Sequence, residues 1–427
     1  MAWRGAMLLA LVALAVPATS AAPWATWPAA SSNPGPLLGL VFEGSGWRLA
    51  RIEPASLEAT GRRIYVGPTS GSWSFSPDRS LLAVAAQTST GRDVVRVVDP
   101  VSLRQRAMVR LTHGLGAVAW PAPNRVLALS PGRGWGLVEV VAYDPLARRV
   151  VRRAQLTGTL LRTARTPGGL ALLLAPGDGM GAARLAVVDA DGRVRTIGLD
   201  LVAGWVEPDG EPWVFRQRVP GLAVDPEGAR AFVVPAEGPV LEIDLATLAV
   251  RERALSRPVS LLGRLRDWLE PAARAKGSDG PTRTARWLGN GLLAVSGSDG
   301  RATVRDGRIE RQTWTPAGLE LIDAQTWSVR TVNERASGFL FAEGTLLASG
   351  TGIGLVAYSP YGEERFALFP DRSPWVSGII GGRAYVGFGG GPGQTLSVVD
   401  LATGRVVGRH EGIVPQLLLG AADPWSG

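Results

Sequence analysis

Short apolar runs alternate with turns along most of the chain, and within each run the apolar residues have the spacing of a β-strand. One unit recurs. It contains three to five apolar residues, an acidic residue, a turn, and a second strand in which Arg or Thr alternates with Val. Clear copies are RVVDPVSLRQRAMV at 96–109 and LSVVDLATGRVVG at 396–408. Because β-branched and Leu-rich runs are typical of buried strands, the pattern predicts an all-β chain built from a repeat.

An acidic residue ends the apolar run in most copies and marks the register of the repeat. Such a residue can accept backbone N–H groups in the turn that follows, so we interpret these acids as structural turn formers rather than catalytic groups. Successive positions in the first four copies lie about 45 residues apart. The register positions are Glu53, Asp99, Asp144, Asp189, Asp244, Asp323, Ser359 and Asp400.

A second hairpin precedes each copy, as in SWSFSPDRSLLAVAA at 72–86 and GLAVDPEGARAFVVP at 221–235. Each unit therefore contains four short antiparallel strands within about 45 residues, which is the size of a propeller blade. SFSPDRSLLAVAA followed by VVRVVDPVSLR resembles the YVTN-type, WD-like β-propeller repeat of exported bacterial proteins. The resemblance covers most of residues 37–420 and implies a propeller, whereas it leaves function open, because the family contains binding, scaffold and enzymatic members.

The predicted fold is a single closed β-propeller over 37–420. Residues 38–67 supply three strands, and Pro415 to Leu419 can supply the missing innermost strand, so that both ends of the chain share one composite blade. Such closure removes exposed sheet edges. Counting this unit, the register positions predict eight blades, with seven as the alternative.

Three insertions interrupt the repeat, at 200–218, 256–282 and 300–317. The first is predicted to form an extra hairpin, and the third is an Arg-rich loop. Within the second, apolar residues at helical spacing predict one amphipathic helix at 260–270. This helix can serve as a plug on the propeller, a lid over its channel, or a contact for a partner or membrane.

The first residues have the pattern of an export signal. Arg4 precedes an apolar run of ten residues, and small residues favour cleavage after Ala21. An uncleaved anchor is the alternative. We interpret 22–36 as a Pro/Ser/Ala-rich tether and 421–427 as a tail, and no later segment reaches 18 consecutive apolar residues. The expected location is extracytoplasmic, in the cell envelope or the medium.

Composition excludes several kinds of site. The chain has no Cys, which rules out disulfides and thiolate metal sites, and two His (His113 and His410) cannot build a multi-histidine centre. The formal charge is +8, but its 45 basic residues are dispersed among acids, so we expect no nucleic-acid binding. We also expect no cofactor, no metal and a monomer.

The innermost strands carry the candidate ligand-binding residues, because propeller ligands usually sit at one mouth of the channel. Several Arg at such a mouth favour a carboxylate or phosphate. The alternative is that these Arg pair with the register acids and that the Trp pack between blades. The candidates are Arg162, Arg165, Arg218, Arg283, Arg286, Trp73, Trp120 and Trp287.

The expected function is therefore an exported, non-enzymatic propeller that binds a protein or a small anionic ligand, or acts as a scaffold. The alternative is a propeller enzyme of the lactonase-like hydrolase or quinoprotein dehydrogenase type. Asp400 begins the docking motif of the quinoprotein enzymes, but Gly408 stands where that motif has Trp.

Overall fold

The computed structural model describes the repeat region with several gaps. The described residues are 37–68, 72–112, 114, 116–132, 136–166, 168–177, 179–206, 216–225, 227, 229–256, 280–305, 308–389, 394–412, 415 and 417–419. The predicted signal, tether, helix and tail, and His113, lie outside them. Within the described residues, no helix has the length and apolar character needed to cross a bilayer.

The described strands form eight antiparallel sheets, which we number as blades in chain order. Blade 1 contains β1 (Leu38–Glu43), β2 (Gly46–Ile52), β3 (Ala59–Gly67) and, from the other end of the chain, β33 (Leu417–Leu418). Blade 2 contains β4 (Trp73–Phe75), β5 (Leu82–Gln87), β6 (Asp93–Val98) and β7 (Gln105–Arg110). Blade 3 contains β8 (Val118–Ala122), β9 (Arg125–Pro131), β10 (Leu137–Asp144) and β11 (Arg149–Thr157). Blade 4 contains β12 (Thr159–Thr166), β13 (Gly169–Ala175), β14 (Met180–Asp189), β15 (Val194–Val206) and β16 (Arg216–Arg218).

The remaining blades have four strands each. Blade 5 contains β17 (Gly221–Val224), β18 (Arg230–Val234), β19 (Val240–Asp244) and β20 (Val250–Arg253). Blade 6 contains β21 (Gly280–Gly289), β22 (Leu292–Arg305), β23 (Arg308–Asp323) and β24 (Val329–Asn333). Blade 7 contains β25 (Gly338–Ala342), β26 (Thr345–Gly350), β27 (Gly354–Tyr358) and β28 (Glu364–Leu368). Blade 8 contains β29 (Trp375–Ile380), β30 (Arg383–Phe388), β31 (Thr395–Asp400) and β32 (Val406–Glu411). The eight-bladed propeller is thereby confirmed, and the alternative of seven blades is wrong.

The core lies between blades rather than at one centre. Buried apolar side chains of the described residues form eight clusters, and each cluster draws mainly on two neighbouring blades. One of them joins blade 8 to blade 1 through Tyr385, Leu396 and Leu418. Since every blade buries both faces, the apolar runs need no polar side, which explains their near-continuous hydrophobicity.

The composite blade closes the ring. In β33, Leu418 pairs with Gly39 and Leu417 pairs with Leu40, both on β1. The N–H of Leu419 donates to the carbonyl of Leu38 at 2.9 Å. The ordered strand is shorter than the predicted segment Pro415 to Leu419, because it pairs with only two residues of β1.

Two faces of the propeller differ in their connections. Within each blade we number the strands from the innermost outward, so that β33 is the first strand of blade 1. The turn face carries the turns between first and second strands and between third and fourth strands. The loop face carries the second-to-third connections and the chain segments between blades. On the loop face, β15 continues beyond its blade to pair with β16. The ladder of β22 and β23 also continues through Gly300 and Trp314, where we predicted a loop. That prediction is wrong, because the two strands are paired as far as Arg305 and Arg308. The sequence signal for a hairpin here is the Asp-Gly pair at 306–307, between two strand-like segments.

Several register turns share one geometry on the turn face. In Asp99, Oδ1 accepts the N–H groups of Val101 (3.0 Å) and Ser102 (2.9 Å), and the N–H of Leu103 donates to the Asp99 carbonyl at 2.8 Å. Asp144, Asp244 and Asp323 accept the equivalent pairs of N–H groups. Asp189 and Ser359 instead accept the N–H groups two and four residues further on.

The register acids also predict acid sensitivity. Hydrogen bonds from the Ser102 N–H and then from Arg106 lower the pKa of Asp99 to about 2, and turn hydrogen bonds lower the pKa of Asp244, Asp323 and Asp400 as well. A carboxylate whose folded-state pKa is depressed stabilises the fold above its unfolded pKa of about 4 and loses that contribution as pH falls through the folded value. We therefore expect the urea midpoint to fall between pH 5 and pH 2.

An isosteric variant isolates one such acid. Asp99→Asn keeps the acceptor oxygen but cannot ionise, so it should reduce the pH dependence of the urea midpoint in this range. The matched control is Asp371→Asn, an exposed Asp outside the register turns. A midpoint that stays constant from pH 5 to pH 2 in the unmodified protein would contradict this role of the acids.

Candidate functional site

First strands of neighbouring blades contact one another, as β12 and β17 or β29 and β33 do, so these strands surround the central channel. Between blades 5 and 6, the segment that leads into β17 is bonded directly to β21. The N–H of Val219 donates to the Pro281 carbonyl at 3.0 Å, and the N–H of Arg283 donates to the Val219 carbonyl at 2.7 Å. Gly221 permits this approach, since a Cβ there would lie 2.8 Å from the Cβ of Ala285.

Two candidate arginines, Arg162 and Arg283, meet at this bonded point on the loop face, and the backbone of Arg218 adjoins it. Arg218 directly precedes Val219, Arg283 donates to Val219, and the side chain of Arg162 reaches the Arg283 carbonyl from blade 4. We call Arg162, Arg218 and Arg283 the arginine junction.

Arg162 is held by carbonyl groups alone. Its Nε and Nη2 donate to the Arg283 carbonyl at 3.2 and 2.9 Å, and its Nη1 donates to the Leu161 carbonyl at 3.1 Å. Burial lowers the pKa of Arg162, yet a guanidinium remains protonated in proteins. No carboxylate of the described residues forms a hydrogen bond or an ion pair with it. Of five N–H donors, three bond to carbonyls, so two remain available to a ligand or water.

The other two members differ in their pairing. Arg283 is mostly buried and its Nη1 bonds to Asp299 Oδ1 at 2.8 Å, so this charge is compensated. Arg218 is exposed and lines a small hollow of about 90 Å³ together with Pro220, Glu237 and Pro281. Asp299 and Glu237 are therefore the two carboxylates beside the three cations, which leaves a local positive charge.

Arg165 and Arg286 lie apart from the junction. Arg162 lies opposite Leu173 across the ladder and Arg165 lies opposite Leu170, so the two side chains are on opposite faces of blade 4. Arg286 faces blade 7, where its guanidinium carbon lies 6.0 Å from the ring centre of Phe341.

The three candidate tryptophans pack between blades. Trp73 is 1% exposed within the cluster of blades 1 and 2. Trp120 is buried between blades 2 and 3, and its Nε1 donates to the Pro123 carbonyl at 3.3 Å. Trp287 stacks on Phe232, with ring centres 5.3 Å apart and planes 3° from parallel. The structure does not bring these side chains together.

The structure also contains an apolar cavity of about 340 Å³ that the sequence did not predict. It lies at the loop-face ends of the first strands of blades 7, 8 and 1. Its half-buried apolar lining consists of Phe339, Leu340, Trp375, Val376 and Leu417. The signal in the sequence is the apolar residues near the start of these strands, in GFLFA and PWVSGII, which we interpreted only as strand-forming.

A larger and more polar hollow, of about 680 Å³, lies between the outer strands of blades 8 and 1. His410 lines it, on the outermost strand of its blade. Most of its charges are paired, since Arg63 bonds to Glu43 and Arg409 lies 3.4 Å from Glu411. Among the residues described, no group of three His, Asp or Glu side chains is placed to hold a metal ion.

Several solved structures are similar to this protein. The dihydro-heme d1 dehydrogenase NirN in complex with DHE has a TM-score of 0.57 and 14% identity, over 95% of this chain and 80% of that chain. BamB from Moraxella catarrhalis has a TM-score of 0.43 and 11% identity, over 81% of this chain and 92% of that chain. The WD40 domain of Toxoplasma gondii coronin has a TM-score of 0.43 and 9% identity, over 91% and 97% of the two chains.

The likeness to the dihydro-heme d1 dehydrogenase supports the propeller fold and no more, because the identity is low. No protein-family model matches the sequence, and no curated protein matches it significantly.

Proposed function

We propose that this protein is an exported, monomeric, non-enzymatic propeller of the YVTN type, and that it binds an anionic group at the loop-face mouth of its channel. The observation that supports the site is the half-buried Arg162, whose charge has no carboxylate partner among the described residues. The support for export is the apolar run at 7–16 behind Arg4, with small residues before Ala22.

A partly buried cation without a counter-ion is costly, and an anion that binds there recovers the lost electrostatic energy. Carboxylate and phosphate oxygens can accept the two remaining N–H groups of Arg162 in a charge-assisted pair. The carbonyls of Leu161 and Arg283 already fix the orientation of the guanidinium. Less ordering is then required on binding, which favours affinity.

The same chemistry favours holding an anion over transforming it. An arginine remains protonated at ordinary pH, so Arg162 and Arg218 cannot exchange protons with a substrate as a general acid or base does. Arg218 is exposed on the loop face and adds long-range attraction for an anion.

Arg162→Gln should weaken binding of inorganic phosphate about tenfold or more, because a hydrogen bond to a charged group contributes about 1.5–3 kcal/mol. Isothermal titration calorimetry at low salt measures the affinity, and Arg218→Gln provides a second, surface-exposed variant with a smaller expected loss. The matched control is Arg149→Gln, which removes one exposed charge from β11, far from the first strands.

Equal phosphate affinity in Arg162→Gln and the unmodified protein would contradict the proposed site. A large increase in melting temperature with Ca²⁺ but none with phosphate would instead favour a metal-binding propeller of the lactonase-like type.

A further inference from the structure

The loop-face mouth of the channel has two chemically distinct halves. Blades 4, 5 and 6 contribute the arginine junction. Blades 7, 8 and 1, which continue the ring in order, contribute the apolar cavity. A basic arc and an apolar arc therefore border the same opening.

Apolar side chains predominate in the lining of this half, which also includes Ser349 and Ser377. Phe339, Leu340 and Val376 line it while each is only half-buried, so they present apolar area to the cavity. The hydroxyl of Ser377 donates to the carbonyl of Pro415 at 2.9 Å and is thereby satisfied. A ligand in this cavity gains mainly from burial of its own apolar surface.

Neighbouring strands connect the halves. β21 carries Arg283 of the junction and, three residues later, Arg286, which lies against Phe341 of β25. β25 begins with Gly338 and Phe339, both of which line the cavity. The transition from basic to apolar lining thus occurs between two adjacent first strands.

We propose that the physiological ligand is an amphiphilic anion, a small molecule with one carboxylate and an apolar body, and this inference rests on the anion site proposed above. The carboxylate pairs with Arg162, and the apolar body occupies the cavity of blades 7, 8 and 1. A volume of about 340 Å³ falls within the range of about 300–1,000 Å³ that is typical of small-molecule sites.

Three probes separate the two parts of the ligand. Octanoate has both parts, acetate has only the carboxylate, and 1-octanol has only the apolar body. Calorimetry with the full chain should show octanoate binding at least about tenfold more tightly than acetate, because several methylene groups become buried. Octanoate should also bind more tightly than 1-octanol, since only the acid engages Arg162.

A cavity-filling variant tests the position of the apolar body. At Gly338, an added Cβ would meet only the hydroxyl of Ser349, at 4.0 Å, and the backbone there is not left-handed. Gly338→Val should therefore fold normally and occupy part of the cavity. We expect this variant to lower the affinity for octanoate at least fivefold and to leave the affinities for acetate and phosphate unchanged. Gly198→Val is the control, because Gly198 is exposed on β15 with open space around its Cβ position.

The outcomes distinguish this inference from the anion site. If octanoate and acetate bind equally, or if Gly338→Val leaves octanoate affinity unchanged, the apolar half is overturned while the anion site stands. If none of the anions binds, both proposals fail. If 1-octanol binds as tightly as octanoate, the apolar cavity acts without Arg162 and the amphiphilic ligand is overturned.

Discussion

Replacing Leu418 with Asp should lower the free energy of unfolding by about 3–5 kcal/mol, because a large buried apolar side chain is lost and an uncompensated charge takes its place. Leu418 is 2% exposed and packs in the cluster that joins blade 8 to blade 1. Its strand supplies the innermost position of the composite blade. The substitution therefore damages both the core and the ring closure at one point.

Urea denaturation followed by circular dichroism measures this loss. The matched control is Val407→Asp, on the outermost strand of blade 8, where the side chain is 55% exposed. We expect that control to change the free energy of unfolding by less than about 0.5 kcal/mol. If Leu418→Asp is as stable as Val407→Asp, then β33 does not hold the ring closed.

Replacing Trp73 with Ala should also cost about 3–5 kcal/mol of unfolding free energy, the usual range for removing a buried Trp. Trp73 packs with Leu38, Leu82 and Leu103 between blades 1 and 2. Because Trp73 is not part of the arginine junction and does not itself line the apolar cavity, the affinity for phosphate should not change in the fraction that folds.

The control for Trp73→Ala is Trp314→Ala, because Trp314 is 49% exposed on β23. We expect its unfolding free energy to remain within about 0.5 kcal/mol of the unmodified value. A Trp73→Ala variant that keeps its stability but loses phosphate affinity would show that Trp73 acts at the ligand rather than in the core.

The fold could be predicted because its determinants repeat. Each blade ends its third strand at a register position, and those positions alone give the count of eight. The composite blade was predictable because 38–67 contain only three strands, one fewer than a complete blade. The loop predicted at 300–317 failed because its Arg-rich composition was given more weight than its strand-like alternation.

The site was only partly predictable. Sequence indicated which arginines lie on or beside first strands, and a period of two could have separated Arg162 from Arg165, which are three residues apart. It could not reveal that Arg162 reaches the carbonyl of Arg283, 121 residues away, because that contact depends on how blades 4, 5 and 6 approach one another. The apolar cavity likewise unites Phe339 with Leu417 from different blades.

The most direct test of the proposed binding site is a crystal structure of the full chain with bound octanoate. We expect the carboxylate oxygens at about 2.7–2.9 Å from Nη1 or Nη2 of Arg162, and the alkyl chain against Phe339 and Val376. Octanoate bound elsewhere, with the Arg162 guanidinium contacting only the carbonyls of Leu161 and Arg283, would contradict an anion site at the channel mouth.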